Sequence, residues 1–243
     1  MCGRYSITTP TEALRRLFDF PGHPNLGPNY NVAPTSIVPF VRVDDGTREM
    51  AMARWGFIPS WAKEVRSKPL INARAETVQE KPSFRGAFKY RRCLVPADGY
   101  FEWNKNTDGS KQPWYIYKPD CEPFGMAAVW ETYLDPDGTE IDTLAILTSA
   151  ANKTLAPLHH RMPVVIAPTD YDRWLLTDPS EASELGDLIK PGPNDLFTAH
   201  PVDKRVGRVG QDDPDIIKPV GPELDSNASS PEKEDDDDQL SFL

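Results

Sequence analysis

No apolar run in the chain approaches the roughly 18 residues that a membrane-spanning helix needs, so a spanning helix is excluded. The opening stretch, MCGRYSITTP, holds no apolar signal segment either, which sets the expectation of a cytoplasmic protein. Cysteine is scarce. Cys2, Cys93 and Cys121 are far apart and form no CxxC, arguing against a disulfide framework or a thiolate zinc site and for a reducing compartment. GxxxxGK, GxGxxG, HExxH and GxSxG are all missing, so phosphate-loop, dinucleotide, zincin and nucleophile-elbow chemistry have no support. The adjacent His159 and His160 have no third ligand at a suitable spacing, so neither a metal nor any other cofactor is expected.

What the chain does have is proline, 25 residues of it in 243, which shortens elements and favours a loop-rich fold. Its net charge of −10 would normally count against a nucleic-acid partner. The distribution changes that, because residues 221–243 carry −7 and the rest only −3. Two regions are therefore expected: a folded body over 1–220 and an acidic tail over 221–243, too polar to join a core. Short basic clusters (GRY, ARAE, KYRRC, HHRMP) leave room on the body for a positive cleft.

The pattern of elements predicts an α+β fold. In TTPTEALRRLFDF, Thr9 reads as an N-cap, Pro10 as first turn and Glu12 as the far side of a capping box. SIVPFVRV and REMAMARWGF form a hairpin around DDGT. CLVPADGYFEW, WYIYK, FGMAAVWETYL, IDTLAILTSA and MPVVIAP read as strands, TDYDRWLL and SEASELGDLIK as short helices. There is no βαβ cadence, so the sheets should be largely antiparallel in one compact domain.

Cys2 raises the chemical question. Once Met1 is removed it would carry a thiol and an α-amine on one residue, two nucleophiles that both ionise not far from neutral pH. The bland alternative is a cysteine on a frayed terminus. Five other stretches look over-specified. NYNVAPT places Asn29, Asn31 and Pro34 in a turn-like segment, and WGFIPSWAKE holds Trp55 and Trp61, read first as core or cleft-wall residues. PLINARAET sets Asn72, Arg74 and Glu76 at alternate positions, with Arg74–Glu76 an ordinary surface pair on the bland reading. DGYFEW puts Glu102 between aromatics, where burial would raise its pKa toward useful acid–base range. In LHHRMPVVI, adjacent histidines project differently, so only one of His159 and His160 should face a site. An aminothiol engages both groups with an aldehyde: the amine gives a Schiff base, and the thiol closes it to a thiazolidine. Arginines nearby would suit a phosphate-bearing aldehyde.

MCGRY, YNVAPT, RWGFIPSWAK, NARAET, CLVPADGYFEW, KQPWYIY and HHRMP occur in this order, and together they resemble the SOS-response-associated peptidase (SRAP) family over roughly residues 2–220. That resemblance implies a barrel-like, largely antiparallel α+β body that protects abasic sites in single-stranded DNA. It implies Cys2 as the crosslinking residue, freed by self-cleavage of Met1, and Asn72 as the residue holding the terminal amine. Glu102 takes the proton-transfer role, including reversal of the crosslink, and His159 that of an acid/base near the sugar. Arg4, Arg74 and Arg161 match phosphate contacts, while Pro34 and Trp61 match a wedge and stacking surface. Relatives can carry a second tryptophan where this chain has Ala62, and an acid where it has His160, whose accessory role stays open. Two alternatives remain at this point: a cysteine peptidase using Cys2 and His159 with Asn72, and a non-covalent single-strand binder. A monomer associated with replication forks is expected. The terminal QLSFL, Gln239–Leu243, resembles peptides that dock on the bacterial sliding clamp, with its last two residues reversed.

Overall fold

The computed structural model describes residues 2–63 and 69–224. Met1 and the sliding-clamp-like Gln239–Leu243 lie outside the described residues. The strands are β1 (Tyr5–Ile7), β2 (Asn29–Val32), β3 (Ile37–Asp44), β4 (Thr47–Trp55), β5 (Asn72–Arg74), β6 (Arg92–Ala97) and β7 (Gly99–Lys105). They continue with β8 (Lys111–Tyr117), β9 (Phe124–Leu134), β10 (Glu140–Ala150), β11 (Arg161–Pro163), β12 (Val165–Ile166) and β13 (Thr198–Pro201). Among the described residues, three short α-helices flank them: α1 (Thr11–Phe18), α2 (Arg85–Tyr90) and α3 (Tyr171–Leu176). No helix among the described residues is long and apolar enough to cross a membrane.

Five strands close on themselves. The order β10-β4-β3-β6-β9 returns to β10 through the β9–β10 hairpin, giving a small barrel with no open edge along that ring. Antiparallel pairing dominates, as the α+β reading expected, but β10 runs parallel to β4 and then to β5. The run Thr143–Ser149 of β10 is buried throughout, which explains why IDTLAILTSA lacks polar–apolar alternation. A second sheet, β13-β8-β7-β1-β2, is antiparallel and packs one face on the barrel core. Its other face covers a smaller cluster of Phe101, Tyr115, Val202, Val206 and Ile216.

Five local expectations are corrected by the structure. The helix α1 starts after Pro10 with no side-chain cap, because Thr9 Oγ1 donates instead to Asp98 Oδ1 at 2.6 Å. Glu12 makes no capping box; it pairs with Arg15 and Arg16 one turn on. CLVPADGYFEW is two strands, since Asp98 breaks it to collect the backbone N–H and hydroxyl of both Thr8 and Thr9. SEASELGDLIK makes only a 3₁₀ segment, Ala182–Asp187. Body contacts run past residue 220: Leu224 donates its N–H to Ala199 O at 2.7 Å and packs on the core.

Asp98 therefore fixes how the β1 end sits against β7. Asp98→Ala strips a carboxylate from four donors, and is expected to cost about 2–4 kcal/mol at the charged-hydrogen-bond scale. Urea unfolding of the variant beside the parent checks this; an unchanged midpoint would mean that solvent replaces those bonds at no cost. The adjoining Gly99 is required sterically, because a Cβ there would lie 2.4 Å from the Tyr115 ring.

Candidate active site at the end of strand β10

The site forms where strands diverge around the carboxyl end of β10. Ile146 and Thr148 pair with Asn72 and Arg74 of β5 on one edge, and Ala150 pairs with Arg161 of β11 on the other. The second sheet supplies the rest. Tyr5 of β1 pairs with Tyr100 of β7, so the antiparallel register sets Gly3 opposite Glu102 and brings Cys2 in one residue beyond it. Asn72 ties the two sheets together, its Nδ2 donating to Cys2 O at 2.9 Å. Cys2, Asn72, Glu102 and His159 thus converge from four distant parts of the chain.

Cys2 is fully buried, so the frayed-terminus reading is wrong. Burial first, and the Glu102 charge second, push its thiol well up, opposed by the chain's α-amine. The expectation of a partly ionised thiol is corrected accordingly: the resting group is S–H. Glu102 is 3% exposed, and burial raises its carboxyl to about 7 against the pull of the α-amine. His159 is driven the other way, to about 3, chiefly by burial and then by the positive α-amine. Its Nδ1 lies 2.9 Å from Arg161 N and 3.2 Å from Arg161 O; the shorter contact, accepted from the N–H, corresponds to a ring proton on Nε2. That Nδ1 lies 3.9 Å from Glu102 Oε1, too far for a hydrogen bond and an ion pair only if the ring were charged. The exposed His160 stacks on the His159 ring, centroids 4.3 Å apart, so only His159 turns inward. A carboxyl poised at neutrality, a neutral imidazole and a protonated thiol can pass protons but hold no resting nucleophilic thiolate. Among the described residues no His, Cys, Asp or Glu group is placed to hold a metal.

The three arginines differ. Arg74 is exposed on β5. Arg4 is 8% exposed, and its guanidinium donates to Asn31 Oδ1 at 2.8 Å and to the carbonyls of Val206 and Gly207. Arg161 pairs through both terminal nitrogens with Glu76, at 2.7 and 2.9 Å, so the supposed Arg74–Glu76 surface pair gives way to this one. Trp55 is core, its indole N–H donating to Ile71 O at 2.9 Å, whereas Trp61 is 61% exposed. Pro34 is half-buried and begins a turn closed by Ser36 N–H to Ala33 O, in which Thr35 takes a left-handed φ of 72°. A β-branched residue there stores strain.

Sequence reasoning missed Glu76 as the partner of Arg161, because the two are 85 residues apart and nothing local couples them. Asn29 and Asn31, expected in a turn-like segment, lie instead on strand β2, and the Asn31 amide nitrogen donates to the carbonyls of Val206, Arg208 and Gln211.

Residues 1–209 match the family described as SOS response associated peptidase (SRAP). The abasic site processing protein YoqW of Bacillus subtilis is 31% identical over 222 residues, spanning 90% of this chain and 99% of that one. The abasic site processing protein YedK of Escherichia coli is 33% identical, spanning 90% and 100%. A solved structure of a Bacteroides thetaiotaomicron protein superposes with a TM-score of 0.81 at 28% identity, covering 90% of this chain and all of that one.

Proposed function

Given a chain that belongs to the SRAP family, we propose that it is a covalent sensor of abasic sites in single-stranded DNA, acting through Cys2. The observation that carries this is Cys2 itself: buried, gripped through its carbonyl by Asn72, and beside a carboxyl near pKa 7. Removal of Met1 by hydrolysis of its peptide bond, in the self-cleavage the family resemblance implies, frees the Cys2 α-amine. The amine adds to the C1 aldehyde of the open-chain deoxyribose and loses water to give an imine. The thiol then adds across the imine, sulfur to carbon and proton to nitrogen, closing a thiazolidine. The same sequence run backwards releases the sugar, so the crosslink is reversible.

Glu102 suits both directions, because a carboxyl that is half protonated at neutral pH can accept the thiol proton and later return it. His159, neutral with its proton on Nε2, donates to a sugar oxygen in ring opening. Asn72 holds the terminus. The exposed Arg74, the exposed Trp61 ring and the Pro34 turn receive the flanking phosphates and bases. Arg161 and Arg4 contribute from the positions described, Arg4 through the loop it anchors. The tail beyond the described residues is assigned to recruitment through Gln239–Leu243.

A papain-like reading needs a thiolate–imidazolium pair, and burial moves both groups away from those charge states. A purely non-covalent binder would leave Cys2 without a task. Incubation with an oligonucleotide containing an abasic site, followed by a denaturing gel, separates the readings. A heat-stable adduct confined to abasic single strands is the expected result. Binding without an adduct would leave only the non-covalent reading.

A further inference from the structure

Arg161 already holds a carboxylate in the place where a phosphate would dock. Its Nη1 and Nη2 donate to the two oxygens of Glu76 at 2.7 and 2.9 Å, the two-pronged geometry a guanidinium offers equally to carboxylate and phosphate. The burial is unequal: the Arg161 side chain is 10% exposed and that of Glu76 49%. The arginine is therefore fixed and the glutamate stands on its solvent side. A second tether keeps the guanidinium in place, since Nη2 also donates to Thr148 O. The backbone of the Glu76 turn is held as well, by Ala75 N–H to Thr148 O at 2.8 Å and Thr77 N–H to Arg74 O at 3.1 Å. The Glu76 side chain alone rotates for the seat on Arg161 to change hands, releasing with the ion pair its bonds to its own N–H and to that of Ala150.

We propose that Glu76 is an internal occupant of the Arg161 phosphate seat, which a DNA backbone phosphate displaces on binding. The inference rests on the reading of Arg161 as a phosphate contact. Partly exposed ion pairs are weak, so a strand engaging several groups at once can exchange one of its phosphates for Glu76. A lone anion has no such support and leaves the seat closed. Glu76 thereby favours ligands with a continuous backbone over free anions, at some cost in affinity for DNA.

The test is titration of an oligonucleotide carrying a tetrahydrofuran abasic analogue, which has no aldehyde and reports non-covalent binding alone. Glu76→Gln keeps the size of the side chain and removes the competing charge. It is expected to bind about two- to fivefold tighter at low salt, the scale of an exposed pair. Its log–log salt dependence should stay close to the parent's, because a phosphate reaches Arg161 in both and only the competing carboxylate differs. Glu76→Asp, too short to hold both nitrogens, should fall between. Arg161→Gln should bind more weakly, and adding Glu76→Gln to it should then bring no gain. If Arg161→Gln weakens binding but Glu76→Gln does not strengthen it, the displacement idea is overturned. Weaker binding by Glu76→Gln would overturn it too, making the pair a clip that positions β11. If Arg161→Gln binds like the parent, the phosphate role of Arg161 falls, and with it the inference. A parent that binds no single strand at all would instead defeat the DNA reading as a whole.

Discussion

Replacing Cys2 by alanine is expected to abolish the heat-stable adduct with abasic DNA while leaving non-covalent binding within about twofold. The α-amine survives in the variant and still forms an imine, but no thiol remains to trap it, and an imine hydrolyses on denaturation. On the proposed reading, affinity comes from arginine–phosphate and stacking contacts, none of which Cys2 supplies. The fold should tolerate the change. Cys2 is buried against the core, yet only one sulfur atom is lost, and a small cavity costs on the order of 1 kcal/mol. A denaturing gel beside a binding titration gives the two readouts. A normal yield of stable adduct from the alanine variant would eliminate thiazolidine chemistry. Retaining Cys2 but extending the chain ahead of it should be nearly as damaging, since the amine then lies on another residue.

Glu102→Gln should have effects of opposite sign on rate and on stability. Loss of the proton carrier is expected to slow crosslink formation and reversal by about 10²–10⁴-fold, the usual worth of a general acid–base group. The rate profile of the parent should inflect near pH 7, where Glu102 titrates, and the variant should lose that inflection. Stability follows from linkage. The folded carboxyl titrates near 7 and the unfolded one near 4.5, so the native state binds its proton more tightly. The parent therefore loses stability as pH rises from about 4.5 to 7 and has lost this contribution fully above that range. A neutral amide escapes the penalty. The variant should match the parent near pH 4 and exceed it at pH 8 by roughly 3 kcal/mol, from 1.36 kcal/mol per pKa unit. Thermal melts at both pH values check it. A variant both slow and less stable at pH 8 would show that the carboxylate is held by favourable partners and that burial is not what sets its pKa.

The strands with strong local patterns were readable: FGMAAVWETYL is β9, and the hairpin around DDGT is β3–β4. Each depends on neighbours in sequence. The barrel's closure was not, because the parallel pairing of β10 with β4 joins residues nearly 90 positions apart without altering either segment's own pattern. The same holds at the site. Glu102 announced itself as a carboxylate between aromatics, and the structure gives it the raised pKa that burial implies. Cys2 was legible as an unusual residue but its protonation state was not, since that depends on being sealed beneath Asn72 and beside Glu102. Asp98 lay inside CLVPADGYFEW, read as one strand; only the fold brings Thr8 and Thr9 to it.

The strand order of the outer sheet has a mechanical consequence. A protein tethered to DNA through Cys2 and drawn by a motor on the segment after Leu224 would feel the load first at β13, which among the described residues pairs with β8 alone. Antiparallel strands pulled from one end unzip bond by bond rather than shearing together. The pulling force would thus peel β13 and then follow the chain back through α3 to β12 and β11. Those two strands lie outside the closed ring, on β9 and β10, so they would unzip before the ring opened at β10. A tethered molecule would part early with the strand that carries Arg161 and keep β7, with Glu102, and β1 until late in its extraction.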